Sequence, residues 1–445
     1  MHEFPLQTGL TIATVGLLLA GLRLVAPAVK GPETRQFAVI VDFSEGVALS
    51  PLAPHREPEA ALVSKLPAGK PSLLDDSAGV LDHFYAALWR TEKREDGAVT
   101  RIVHYGDSPT TADLITGDVR IQLQKRFGDA GHGFLLVAKP WAWYQHTGAD
   151  VSGSGWQMTP ASRFVSHDGM FGLGGVSFTG SGSARSRMVF ANGGNTQFEA
   201  WYLRQPGGGE FSLWADGRAL GRVDTAGDSK APGFAAFRTE SAAAELEIHV
   251  ERGSVRVFGI TAEGPGPGVV YDSLGLNGAS ITVLSRMYNE QHWAEELQHR
   301  NPALVIVNYG TNEADFAEFV DGQYEKELRD ALRRIQTALP EASVLVMSPM
   351  DRGRRNGGDI ETMPTIPRIV EIQKRVARET GCGFFDTYAA MGGEGTMARW
   401  YAARPRMVSA DLIHPYPGAG KMIAGIFTRE IGAGLGRYKL RQVGR

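Results

Sequence analysis

The strongest constraint on this chain is that its hydrophobic rhythm changes twice along its length. Residues 150–262 alternate apolar and polar positions in short runs at 198–203, 211–214, 234–237, 246–250 and 255–260. Turn-forming stretches such as Gly207-Gly208-Gly209 and Asp216-Gly217 separate the runs. Period-two alternation puts successive side chains on opposite faces of a strand, so this stretch reads as an antiparallel β-sandwich. Outside it the period is that of helices alternating with short apolar strands. Before it come a helix over 77–95, a strand over 99–105 and a helix over 110–127. After Gly268 come helices over 291–299, 322–338, 367–380 and 417–431, with strands at 303–307, 343–347 and 383–385. Strand–helix alternation implies a parallel sheet covered on both faces. The simplest account is one α/β domain interrupted by a β-domain.

Composition narrows the class. Hydrophobic residues make up 43% of the 445 and charged residues 21%, ordinary values for a soluble globular protein with packed cores. The 46 basic and 49 acidic residues leave a net charge of −3, without the basic excess of a nucleic-acid binder. The 55 glycines are about 12% of the chain against a typical 7%, and they concentrate between residues 148 and 278. The single cysteine, Cys382, excludes an intrachain disulfide and reads as a small buried hydrophobe. Residues 10–22 carry no charge, and Ala26-Pro27-Ala28 follows. This pattern fits export through a signal peptide, cleaved or kept as an anchor. Residues 30–76, rich in Pro, Ala and charge, read as a linker or arm with one strand-like run at 37–43.

Four short segments carry chemistry. Gly106-Asp107-Ser108 ends the strand at 99–105 and precedes a helix. Thr110-x-x-Asp113 fits a capping box there. Ser108 is thus expected at the carboxyl end of a strand, where open α/β sheets build their sites. A second Gly-Asp-Ser, at 227–229, lacks a preceding apolar strand and reads as a turn. Asp411-Leu412-Ile413-His414 spaces a carboxylate and an imidazole so that one can orient the other toward a serine. Gly310-Thr311-Asn312-Glu313 follows the strand at 303–307 and offers an Asn side-chain N–H to a developing oxyanion. Gly275-Leu276-Asn277-Gly278 offers a glycine N–H for the same purpose, from Gly278 or Gly275.

In this order, GDS at 106–108, YDSLGLNGAS at 271–280, GTNE at 310–313 and DLIH at 411–414 resemble the SGNH, or GDSL-type, hydrolase family. The resemblance covers roughly residues 98–140 and 268–432. It implies Ser108 as nucleophile, His414 as base and Asp411 as orienting acid. It implies the Ser108 amide, Gly278 and Asn312 as oxyanion donors. No cofactor is expected, and the eleven scattered histidines, with no H-x-x-x-H or H-E-x-x-H spacing, point away from a metal. Ser108 and Gly278 lie 170 positions apart, which places an insertion within the catalytic domain. The expected organisation is a leader or anchor at 1–29, a linker at 30–76, hydrolase at 77–149, a carbohydrate-binding-module-like β-sandwich at 150–262 and hydrolase at 263–445.

Together with FGDAGHGF at 127–134, that insertion resembles bacterial peptidoglycan O-acetylesterases. The implied activity is removal of O-acetyl groups from a cell-envelope glycan in the periplasm or envelope. An O-acetyltransferase, a lipase or thioesterase, and a non-catalytic binding protein are the competing readings. The implied partner is the acetylated glycan, with no nucleic acid, and membrane anchoring rests on the N-terminal segment alone. Trp141, Trp143, Tyr144 and Trp156 at the junction, and Trp201, Tyr202 and Trp214 in the β-rich stretch, offer rings to sugars or fill the core. Trp201 and Tyr202 fall on opposite faces of one strand, so only one is expected in a single-faced core. His292 and His299 are expected to face solvent.

Overall fold

Strand β2 (Val99–Gly106) runs through the middle of a six-stranded sheet, and everything that matters to the site is arranged around its end. A computed structural model of the protein describes residues 72–162, 168–191 and 194–443. The expectations for 1–29 and for nearly all of 30–76 lie outside the described residues. Residues 67–445 form one compact unit.

The central sheet is assembled from β1 (Leu74–Asp75), β2, β12 (Gly268–Gly275), β13 (Leu304–Asn308), β14 (Ser343–Met347) and β17 (Gly383–Phe385). Their order is β1-β17-β14-β13-β2-β12. All neighbours are parallel except the short edge strand β1, which is antiparallel to β17. Alternation along each strand splits its residues between two cores. Ile102, Leu304, Ile306, Leu345 and Phe385 face α1 (Asp82–Glu92), α3 (Thr116–Phe127) and the C-terminal helix. Val103, Tyr105, Val305, Val307, Val344 and Phe384 face the other way. There they meet α4 (Glu290–Arg300), α6 (Tyr324–Ala338) and α7 (Thr365–Glu379). Burial on both faces explains why these strands read as continuous apolar runs.

Between the neighbours β2 and β12 the chain makes a second, nine-stranded sheet. Its strands are β3 (Gly131–Leu135), β4 (Ala149–Pro160), β5 (Val176–Phe190), β6 (Gln197–Arg204), β7 (Glu210–Ala215), β8 (Arg218–Asp224), β9 (Ala231–Arg238), β10 (Glu245–Arg252) and β11 (Ser254–Glu263). The path is β8-β7-β10-β5-β11-β6-β9, with β4 on β5 and β3 on β11, all antiparallel. The sheet curls until its ends meet: Gly221 in β8 lies against the Phe237 ring in β9. Its interior is continuous with the second core of the parallel sheet. A buried ionic cluster ties the two sheets as well. Asp272 in β12 accepts from the Phe134 amide in β3 at 2.8 Å and from Arg300 Nε at 2.6 Å, and Arg300 also reaches Glu263.

Four expectations are corrected. The helix over 110–127 is broken: α2 (Ser108–Thr111) and α3 are separated by Asp113, whose φ is 54°. Asp113 forms no capping box. Its carboxylate instead accepts from Thr116 Oγ1 at 2.6 Å, from Arg120 Nη2 at 2.5 Å and from the Thr147 amide at 2.7 Å. Trp201 and Tyr202 are both buried, because both faces of β6 are covered. Trp201 packs on Phe134, Phe234 and His299, whereas Tyr202 packs on Phe211 inside the curled sheet. His292 is buried against Phe258, whereas His299 is exposed as expected, with one face of its ring stacked on Phe234. The last helix, α10 (Pro417–Val443), runs twelve residues past the expected end. Its added turns hold Leu435 and Tyr438 against α1, with Gly434 beneath the Tyr85 hydroxyl.

Candidate active site

Strand register brings three loops to one edge of the parallel sheet. Gly106 is paired with Gly275 of β12 on one side and with Asn308 of β13 on the other. The segments that follow, carrying Ser108, Gly278 and Asn312, therefore leave the sheet side by side at its carboxyl end. Two glycines make the close approach feasible. A Cβ on Gly106 would lie 2.2 Å from Thr110 Oγ1, and one on Gly275 would lie 2.0 Å from the Thr111 amide nitrogen. Helix α2 is thus seated directly on both. Gly275 is committed to that packing, whereas Gly278 stands in open space with φ +70°. Among the described residues, neither the Ser108 nor the Gly278 amide donates to another protein group.

The fourth segment arrives from the C-terminal side. Residues 408–415 fold back on themselves through a Val408–Pro415 bridge and a bond from Ser409 N to His414 O of 2.9 Å. Leu412 takes a φ of 62°, which reverses the chain between Asp411 and His414. His414 Nδ1 lies 2.6 Å from Asp411 Oδ2, and His414 Nε2 lies 2.8 Å from Ser108 Oγ. Asp411 Oδ1 accepts from the amides of Ile413 and His414 at 2.9 and 3.1 Å, and from the Ser409 hydroxyl. Partial burial raises the Asp411 pKa, but the bonds from Ser409, His414 and the two amides outweigh it and bring the pKa down to about 2. An imidazole held by an ionised carboxylate and facing the hydroxyl of the buried Ser108 can accept that hydroxyl's proton.

Asn312 Nδ2 donates to Ala279 O at 2.7 Å, which fastens the 310–313 loop to the one carrying Gly278 and leaves the second N–H of the amide for another acceptor. The sequence brings Ser108, His414 and Asp411 together as expected, with Gly278 and Asn312 on the adjoining loops.

Three residues without an expected role brace the site. Glu313 is 1% exposed and bridges the two loops: Oε1 accepts from the Ile281 amide at 2.7 Å and Oε2 from the Gly310 amide at 3.1 Å. Burial pushes its carboxyl up to about 7, against those bonds. Arg352 donates to Thr311 O at 2.6 Å and forms a two-pronged pair with Asp315. Asp107 is buried beside Ser108, and burial raises its carboxyl to about 6, opposed by the Thr311 side chain and by His414. Asp107 and Glu313 lie within the motifs, whereas Arg352 lies in none of them. Among the described residues no group of three or more His, Cys, Asp or Glu is placed to hold a metal ion.

Residues 251–418 match the GDSL-like lipase/acylhydrolase family. That span takes in the Gly278, Asn312 and His414 segments and begins well after Ser108, which the antiparallel sheet separates from them in sequence. The fold is similar to that of a peptidoglycan O-acetylesterase, at 25% identity and a TM-score of 0.70, over 82% of this chain and 99% of that one. An acetylxylan esterase from Geobacillus stearothermophilus is similar at 22% identity over 37% of this chain and 73% of that one, with a TM-score of 0.28. A family two carbohydrate esterase from Clostridium thermocellum is similar at 11% identity over 63% and 99%, with a TM-score of 0.29. No curated protein sequence matches the chain. The chain thus carries a GDSL-like acylhydrolase domain, and it is an SGNH-type serine esterase.

Proposed function

We propose that the protein hydrolyses O-acetyl esters on a cell-envelope glycan, with peptidoglycan as the preferred polymer. The observation that carries the reading is the Ser108–His414–Asp411 chain of contacts at 2.8 and 2.6 Å. The polymer is suggested by the likeness to a peptidoglycan O-acetylesterase that extends over 82% of the chain.

The steps follow from the geometry. Ser108 Oγ attacks the acetyl carbonyl while His414 Nε2 takes its proton, and Asp411 stabilises the imidazolium without becoming protonated. The tetrahedral oxyanion accepts from the Ser108 amide, the Gly278 amide and the remaining N–H of Asn312. Collapse breaks the ester bond, and His414 returns the proton to the departing sugar oxygen. The acetyl group stays on Ser108. Water then attacks, giving its proton to His414, and acetate leaves as Ser108 recovers its hydrogen. No cofactor or metal enters these steps.

Export to the envelope belongs to the same proposal, on the strength of the uncharged run at 10–22 and Ala26-Pro27-Ala28. The β-rich stretch at 150–262 serves as the part of the enzyme that accommodates the polymer. Acetate release tests the reading. It should be fastest from O-acetylated peptidoglycan, slower from acetylated xylan and slowest from long-chain esters. Equal or greater activity on long-chain esters would replace it with a lipase reading.

A further inference from the structure

The buried aromatics of the antiparallel sheet leave the question of what holds a sugar near Ser108. Among the described residues only three aromatic rings are exposed: Trp143, Phe316 and Tyr416. Phe316 follows Asn312 by four residues, and Tyr416 follows His414 by two. Trp143 reaches the third loop directly, because its Nε1 donates to Asn277 Oδ1 at 3.3 Å, next to Gly278. All three exposed rings thus lie on segments that carry or contact the reacting loops.

Trp143 is the best defined of the three. Its neighbours Trp141 and Tyr144 are buried, and a turn closed by Tyr144 N to Trp141 O at 3.0 Å fixes the chain between them. The Tyr144 hydroxyl accepts from the Leu136 amide at 3.1 Å. The next residue donates its amide to Thr111 O, on the helix that starts with Ser108. The indole thus projects from an anchored turn, tethered at its nitrogen, with 47% of its surface open to water. An apolar face held still and unshielded suits the C–H face of a pyranose, and little rotamer freedom is left to lose on binding. The same segment borders a cleft of about 250 Å³ lined by Lys139, Gln145, His146, Thr147 and Asp150. That volume lies below the range of drug-sized pockets, and Tyr144, Ala149 and Val151 complete its lining.

We propose that Trp143 is a stacking platform that holds a sugar ring of the acetylated glycan beside Ser108, a specificity role that rests on the glycan-esterase reading above. The test compares kcat/KM of wild type, Trp143→Ala and Trp143→Phe on an O-acetylated N-acetylglucosamine oligomer and on 4-nitrophenyl acetate. Trp143→Ala should lose about tenfold on the oligomer, mostly in KM, the scale of one aromatic stacking contact. Its loss on the aryl ester should be several-fold smaller. Trp143→Phe, which keeps a ring and drops the bond to Asn277, should retain most of the activity on the oligomer. Equal losses on both substrates would overturn the proposal and assign the indole to bracing the Gly278 loop. No loss on either would overturn it outright. If wild type cleaves the aryl ester but releases no acetate from the oligomer or from peptidoglycan, the glycan reading itself falls, and the platform with it.

Discussion

The same tripeptide, Gly-Asp-Ser, occurs twice in this chain with opposite fates. At 106–108 it closes the central strand: Gly106 has no room for a Cβ, Asp107 is buried, and Ser108 opens a helix 2.8 Å from His414. At 227–229 it lies on a bend between β8 and β9, where Gly227 N bonds to Gln205 O at 3.1 Å and both Asp228 and Ser229 are exposed. What separates them is the strand in front. A buried parallel strand fixes the direction in which the serine leaves the sheet and the neighbours it meets, whereas a surface bend fixes neither. A motif gains chemical meaning from the element that delivers it.

The widest separation between the two sites should come from serine removal. Ser108→Ala should cost about 10⁴-fold or more in kcat on acetyl esters, as should His414→Ala, because the two act in one proton transfer. Ser229→Ala should leave turnover at the wild-type level.

A second contrast sets the buried aromatics of the curled sheet against those at the site. Trp201→Ala should lower stability by about 3–5 kcal/mol, read by chemical denaturation, since a fully buried ring leaves a cavity. A loss below about 1 kcal/mol would mean that the sheet tolerates the void, and would free Trp201 for a ligand role.

Asn312→Ala should reduce kcat by about 10²–10³-fold with little change in KM, the usual cost of one oxyanion donor. A rise in KM alone, with kcat unchanged, would place Asn312 in ground-state binding instead.

Glu313→Gln should cost about 1–3 kcal/mol of stability, because a side-chain NH₂ cannot accept from the Gly310 or Ile281 amides. Its rate loss should be smaller than that of Asn312→Ala. The pH response carries a sign. Burial raises the Glu313 carboxyl from 4.5 to about 7 in the fold, so the folded chain binds more protons than the unfolded one between those values. Its stabilising contribution is complete below pH 4.5 and is lost as pH rises through 7. The melting temperature of wild type should therefore drop more steeply from pH 5 to 8 than that of Glu313→Gln. Asp411 works in the opposite sense: with its carboxyl lowered to about 2, it favours the fold above pH 3.8 and loses that effect as pH falls toward 2.

Much of this architecture was legible because it depends on local pattern. The strands at 343–347 and 383–385 and the β-rich runs stand where period and turn residues put them, Asp411 and His414 meet as their spacing allowed, and Ser108 joins them as the family resemblance implied. What escaped depends on distant partners. Asp113 breaks a helix rather than capping one because Arg120 and the Thr147 amide recruit its carboxylate. Gly131–Leu135 joins the antiparallel sheet, ahead of residue 150, because β11 offers it an edge. Trp201 and Tyr202 are both interior because helix α4 covers the outer face of their strand, which no period-two pattern reveals. Glu313 carries no signal of its own, since its role exists only once two loops lie side by side.

A fluorophosphonate serine probe with peptide mapping tests the central claim most directly, because only an activated hydroxyl displaces fluoride from phosphorus. The account predicts a single labelled residue, Ser108, with labelling abolished in His414→Ala and slowed by excess acetyl ester. Label on Ser229 or elsewhere, or undiminished labelling of Ser108 without His414, would contradict it.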